Sequence, residues 1–422
     1  MDRSALADDI RSTGDPAGLD PVKTARGGSR LAVGILFTTI LIDFLGYSIL
    51  IPVLPHFVST LGVDAFGIGL ITALYALGLV LFLPLWGWIS DRVGRRPVLL
   101  VSLLGTALSF LLLALADTLT QVLVARFLGG LFGASIGTAQ AAMTDLTDDS
   151  SRARGMGVIG AASGIGLVLG TALGGVLGGI SPAMPFYATA SVAALNFLLA
   201  AWALPESKGP IPATAGLPGF ARALVPAPFW VFARAHGGTQ RLYLYLFLHL
   251  FFAFSAIESM FPLFAAARFG WSEAQTGLFM ATIAIVLGGS QGLIVGPLSR
   301  VWSEETMSSA GFGLTGLSIA GLALSPSVPV LCVCAVGVAL GAGIAFPAFT
   351  SLFSKACGSH ETGAAMSRSQ AMIHTGRALG AMCWGYVFAS AGPGMPFLLA
   401  GVALLVALGI FLAAPRVLLP QA

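Results

Sequence analysis

The chain has 422 residues, of which 56% are hydrophobic and 9% charged, against about 25% charged in an ordinary soluble domain. That composition excludes water as the main solvent, and a net charge of +3 scattered along the chain excludes a nucleic-acid footprint. Each crossing of a hydrocarbon core takes about 20 mostly apolar residues, so there is room for roughly twelve helices and for no sizeable soluble domain.

Residues 1–30 mix five acids with five bases and have no apolar core behind a basic start. They are expected to form a cytoplasmic N-terminal tail rather than a cleavable signal peptide. Apolar runs follow at 31–58, 67–90, 98–117, 121–144, 155–179 and 184–204. The stretch 205–240 holds six prolines with Lys208, Arg222 and Arg234, the composition of a cytoplasmic linker on the membrane surface. Six more apolar runs lie at 241–265, 275–298, 307–326, 329–353, 364–390 and 394–414. The expected fold is an all-α membrane protein of twelve transmembrane helices in two six-helix pseudo-repeats. Its expected parts are an N-terminal domain over 31–204, a C-terminal domain over 241–416 and a short cytoplasmic tail at 417–422.

Short cytoplasmic loops retain Lys and Arg. Placing both termini inside puts seventeen of the twenty-one bases on the cytoplasmic side and leaves Arg268 outside; Arg126, Arg368 and Arg377 fall within helices. The four cysteines show no zinc-site spacing and read as packing residues. The 54 glycines suit close helix crossing in a membrane bundle. Span five carries G-x3-G-T-x2-G-G and span eleven G-x3-G-A-x2-W-G, at equivalent places in a six-plus-six duplication.

The loop after span two reads Gly87-Trp88-Ile89-Ser90-Asp91-Arg92-Val93-Gly94-Arg95-Arg96, which resembles the G-x-x-x-D-R-x-G-R-R signature of the major facilitator superfamily. Gly94 allows its tight turn. Span one has Asp43-x8-Pro52-x2-Pro55 and span four Arg126-x3-Gly130. Span five has Gly157-x8-Gly166-x3-Gly170-Thr171-x2-Gly174-Gly175, with Thr171 where the antiporter motif has proline. Together these resemble the twelve-helix drug/proton antiporters, the tetracycline exporters in particular. The resemblance implies a conformational latch at Gly87, Asp91, Arg92, Gly94, Arg95 and Arg96, with Asp91 facing Ser367 and Arg368 at the start of span eleven. It also implies that Gly157, Gly166, Gly170, Thr171, Gly174 and Gly175 pack helices, and that Arg126 serves proton coupling.

An intramembrane charge costs at least about 2.5 kcal/mol on insertion scales and persists where it faces a cavity or a partner. Asp43 is therefore a candidate proton or substrate group, with interhelical hydrogen bonding as the plainer reading, and Tyr47 one turn on is a cavity candidate. Arg126 heads a stripe with Gly130, Gly133, Gly137 and Gln140; the alternative is an arginine snorkelling outwards. At 1.5 Å per residue, Arg126 and Asp43 come out about 10 Å apart in depth. Gln370, His374 and Arg377 share one face of span eleven and are expected to line the central cavity or to bond between domains. Glu258, four residues before Pro262, is either a second acid of the pathway or a solvated gate residue. His249 falls on the opposite face of span seven from Glu258 and reads as a packing donor.

No phosphate-cradling G-x4-G-K-[ST] occurs, and no nucleophile, base and orienting residue fall at a recognisable spacing. The expectation is a monomeric inner-membrane secondary transporter, not an enzyme, with no cofactor, no metal and no nucleic acid. Its partners are the bilayer, protons and an apolar small molecule or drug. The rival readings are a carrier of an anionic metabolite or metal chelate, drawn by Arg377, and a non-transporting membrane receptor or assembly factor of the same fold.

Overall fold

The computed structural model describes residues 21–59, 61–133, 135–146, 152–206, 237–357 and 362–413, and among these it contains helices and short connections but no strand. Expected segments on 1–20, 207–236 and 414–422 lie outside the described residues. The spans fall where the apolar runs place them. Span one is Pro21–Ser59, span two Ala65–Val93, span three Arg95–Ala114, and span four Leu119–Leu131 with Ser135–Leu146. Spans five and six are Arg152–Gly178 and Met184–Ala203. The second half runs through Gly237–Phe269 (seven), Glu273–Gly289 with Val295–Leu298 (eight), Glu304–Ala323 (nine), Val328–Ala356 (ten), Thr362–Ala391 (eleven) and Met395–Ala413 (twelve).

Residues 21–30, expected in the tail, continue span one as helix, because Pro21 occupies the first turn, where its missing N–H is not needed. Among the described residues, ten helices are long and apolar enough by length and composition to cross a membrane. Spans nine and eleven, diluted by Gly, Ser, Thr and charged residues, complete the twelve.

Helix starts are capped locally. Asp64 accepts from the Gly67 N–H, and the pairs Thr118/Gln121 and Ser272/Gln275 form reciprocal capping boxes. Gly62 and Gly270, at φ 69° and 67°, turn the chain before spans two and eight, equivalent points of the two halves. Span four breaks after Leu131, where Gly129, Gly130 and Gly133 weaken the helix. Span eight widens into a π turn at Ser290–Ile294.

The glycine registers of spans five and eleven hold the bundle together. Gly166, Gly170 and Gly174 abut the carbonyls of Leu41, Leu45 and Ile49, one turn per step, which brings span five onto the backbone of span one. Gly376 and Gly380 meet the carbonyls of Leu248 and Phe252 in the same way, joining span eleven to span seven. The next glycine of each register crosses to the other half. Gly175 meets Gly277 and Glu273 of span eight, and Gly385 meets Gly69 and Ala65 of span two. Both crossings lie at the end of the bundle opposite the Asp91 loop, called here the far face. There His56 of span one also pairs with Glu273 at 3.4 Å, joining the halves. A Cβ on Gly157 would meet nothing within 4 Å. Gly157 thus stands apart from the close-packed register that its motif suggests.

Candidate functional site

The Asp91 loop is organised around Arg95. Its guanidinium reaches Asp91 at 2.9 Å and Asp145 at 3.1 Å and donates to Ser90. Gly94 turns at φ 106°, and the space where its Cβ would stand is filled by the Glu206 carboxylate. Glu206 accepts from the backbone N–H groups of Arg95 and Arg96, capping the positive end of span three. Arg96 donates to the Ala201 carbonyl, and Arg92 lies 3.7 Å above the Trp88 ring. Sequence reasoning misses Asp145 and Glu206, since nothing in their local sequence marks them. Asp91 is 56% exposed and holds Arg95 within its own half. The Ser367 side chain, at the span-eleven end that the resemblance places opposite Asp91, lies outside the described residues.

Two cavities open at mid-bundle. The first, about 490 Å³, lies within the N-terminal half and is lined by Asp43, Tyr47, Tyr75, Thr106, Ser109 and Arg126 among others. Both of the charges expected about 10 Å apart in depth line it, with Gly129 and Gly133 in the same wall. Arg126 is buried, 6% exposed, and so does not snorkel. No acid pairs with it among the described residues; its guanidinium carbon lies 4.3 Å from the centre of the Tyr75 ring. Tyr75 is also missed by sequence reasoning: as one aromatic among many in an apolar run, it acquires meaning only from the glycines packed against it. Gly130 stands against the Tyr75 carbonyl and Gly78, so the arginine-to-glycine spacing of span four sets the ring one turn away, beside the arginine.

The second cavity, about 740 Å³, lies between the halves. Ile51, Leu167 and Thr171 form one wall, and Phe254, Phe261 and Phe279 belong to the other. Among the described residues that line it, Glu258 alone carries a charge. Thr171, expected as a packing residue, also lines this cavity, with its hydroxyl folded back onto the Leu167 carbonyl.

Glu258 and Arg377 join spans seven and eleven at 3.0 Å, with side chains 10% and 22% exposed. Glu258 is thus a largely buried, paired acid at the cavity wall. Tyr47 lies near the same carboxylate. Arg377 also lies over the rings of Tyr47, at 5.2 Å, and Phe251, at 5.0 Å, while Tyr47 and Tyr75 stand 6.0 Å apart. A continuous chain therefore runs Arg126, Tyr75, Tyr47, Arg377, Glu258, from one half of the molecule to the other.

The expected polar stripe on span eleven divides. Arg377 enters the chain, and His374 is half-buried within the charge field of Arg377. Gln370, near the loop face, is exposed. Gln140 is half-buried on span four, outside both cavity linings. His249 packs its ring on Tyr245 and bonds that residue's carbonyl.

A family model described as Major Facilitator Superfamily matches residues 36–308 and 292–421. The chain belongs to the Major Facilitator Superfamily. It is 32% identical over 338 residues to the class B tetracycline resistance protein of Escherichia coli, covering 77% of this chain and 80% of the relative. It is 26% identical to multidrug resistance protein 1 of Bacillus subtilis (strain 168), covering 91% and 96%. Among solved structures, the human organic anion transporter MFSD10 (TETRAN) superposes with TM-score 0.71 at 24% identity, covering 91% and 99%. The nucleoside transporter NupG superposes with TM-score 0.74 at 15% identity, covering 90% and 99%. At these identities the two structures speak for the superfamily fold, which the twelve helices and the paired glycine registers share. The chain is accordingly a multi-pass membrane transporter of the superfamily and not an enzyme.

Proposed function

We propose that the protein exports apolar small molecules or drugs across a bacterial inner membrane in exchange for protons, as a monomer with both termini in the cytoplasm. The two six-helix domains, 31–204 and 241–416, rock about the central cavities, and the Asp91 loop works on the cytoplasmic side as the latch. The observation that carries this reading is the cavity between the halves, whose walls are mostly aliphatic and aromatic. Such walls favour an apolar guest by roughly 25 cal/mol for each Å² withdrawn from water.

Coupling requires a group whose charge changes beside a group whose charge does not. Asp43 and Arg126 share one cavity, and Glu258 and Arg377 provide the same combination at the wall of the other. The tetracycline and multidrug resistance relatives support the drug reading. An anionic substrate is less well served, because the Arg377 guanidinium already holds the Glu258 carboxylate.

Purified protein in proteoliposomes, with tetracycline and separately a lipophilic dye as probes, tests the reading. An imposed proton gradient is expected to drive accumulation of at least one probe, and collapse of the gradient by an ionophore to abolish it. Equal uptake with and without the gradient refutes proton coupling; no movement of either probe, including exchange, favours the receptor reading.

A further inference from the structure

Arg126 is a buried fixed charge with no acid within ion-pair distance among the described residues, an arrangement that is costly unless something compensates it. What faces it is the Tyr75 ring. Spans two and four meet backbone to backbone at Gly78 and Gly130, and Gly129 leaves the room that the ring fills. The glycines thus set where the ring sits, beside the arginine. The charged or titratable groups around Tyr75 are Arg126 of span four, Asp43 and Tyr47 of span one and, across the boundary between the halves, Arg377 of span eleven.

We propose that Tyr75 is a positioning residue for proton coupling: with Tyr47 it forms a two-ring bridge that transmits the charge state of the Asp43 cavity to the Glu258–Arg377 pair. This rests on the antiport reading above. The face of an aromatic ring attracts a cation, most strongly where water is excluded. When Asp43 is ionised, its charge bears on the Tyr75 ring that faces Arg126 across the shared cavity; when it is neutral, that influence is gone. Tyr75 shifts with that balance, and Tyr47, its ring tilted against it, carries the shift to Arg377 and Glu258. Two sites linked in this way must influence each other by the same factor in both directions. The bridge starts on spans one, two and four and ends on spans seven and eleven, so the message crosses from one domain to the other.

The test needs no substrate. Spin labels at Val93 and Val301, exposed positions at the loop-face ends of the two halves, report the separation of the halves in lipid nanodiscs from acid to alkaline pH. Wild type is expected to shift between two distance populations with pH. Tyr75→Leu is expected to reduce that pH-driven change in population ratio about 30-fold, the equivalent of the roughly 2 kcal/mol of a desolvated cation–π contact. Tyr75→Phe, which keeps the ring, retains the shift, and Tyr47→Leu, which breaks the bridge at its other end, loses it. If Tyr75→Leu does not fold, the contrast between Tyr75→Phe and Tyr47→Leu decides. A wild-type response in Tyr75→Leu, or in Tyr47→Leu, overturns the bridge, as does equal loss in Tyr75→Phe and Tyr75→Leu. A wild type that does not respond to pH overturns the antiport reading itself, and the bridge with it.

Discussion

The Glu258–Arg377 pair offers the most quantitative prediction. At a separation of 3.0 Å and an effective dielectric constant of about 20, the attraction is about 5–6 kcal/mol before desolvation is charged against it. Removing one member of a buried pair typically costs about 3–5 kcal/mol, because the other charge is left stranded. The two single variants should differ. Glu258→Gln leaves Arg377 over the rings of Tyr47 and Phe251, which offset about 2 kcal/mol of the stranded charge. Arg377→Met removes the cation that the Glu258 carboxylate pairs with and is expected to cost more. In the double variant no charge is stranded, so its destabilisation should fall well below the sum of the singles, with a coupling energy of about 3 kcal/mol. Chemical denaturation of the purified protein in micelles, followed by tryptophan fluorescence, measures all four corners of the cycle. Additive single effects within about 0.5 kcal/mol would show that the ion pair contributes nothing, and the account of the inter-half chain would fail with it.

Three further outcomes are expected. Asp43→Asn should insert and still bind an apolar probe but lose gradient-driven accumulation and the pH dependence of binding, because neutralising the residue cuts the linkage between proton and substrate; an intact pH response in that variant makes Asp43 a packing residue. Asp91→Asn should leave insertion intact and lower turnover, since it removes one carboxylate from Arg95 while Asp145 remains; proteoliposome rates beside cross-linking of the loop-face ends measure this, and unchanged values in both would dismiss the latch. Gly170→Ala should sharply reduce folded protein, because its Cβ would press on the Leu45 carbonyl and the Ser48 hydroxyl, whereas Gly157→Ala, which meets open space, should be tolerated and gain up to about 1 kcal/mol of helix propensity. Detergent size-exclusion profiles distinguish the two, and equal behaviour would show that the span-five register is not what joins spans one and five.

Much of the molecule is legible in its sequence because a bilayer imposes one severe rule, that every spanning segment must satisfy its own backbone. Apolar runs therefore report spans directly, and the twelve read from composition fall within a few residues of the observed helices, apart from the start of span one, which begins ten residues earlier. The repeat in spans five and eleven is legible for a related reason: where helices touch backbone to backbone, only glycine fits, so Gly166, Gly170, Gly376 and Gly380 mark contacts that any larger side chain would prevent. Charged residues in apolar runs also announce themselves, because a bilayer tolerates them only where they have a cavity or a partner, and Asp43, Arg126, Glu258 and Arg377 stand out on that ground. Their partners do not. Glu258 and Arg377 are 119 residues apart, and no local pattern says that they meet.

Sequence by itself determined the solvent, the number of spans, the duplication and the residues whose burial demands an explanation, because each of these is a local or periodic property of the chain. Only the tertiary structure decided which charges pair, that Arg126 rests on Tyr75 with no acid paired to it among the described residues, that Glu206 and Asp145 hold the Asp91 loop, and that Thr171 lines a cavity. It also separated Gly157 from the packed register of its own motif. Those outcomes depend on how helices cross in three dimensions, and a one-turn change in register between two glycine stripes would change every partner while leaving composition and periodicity as they are.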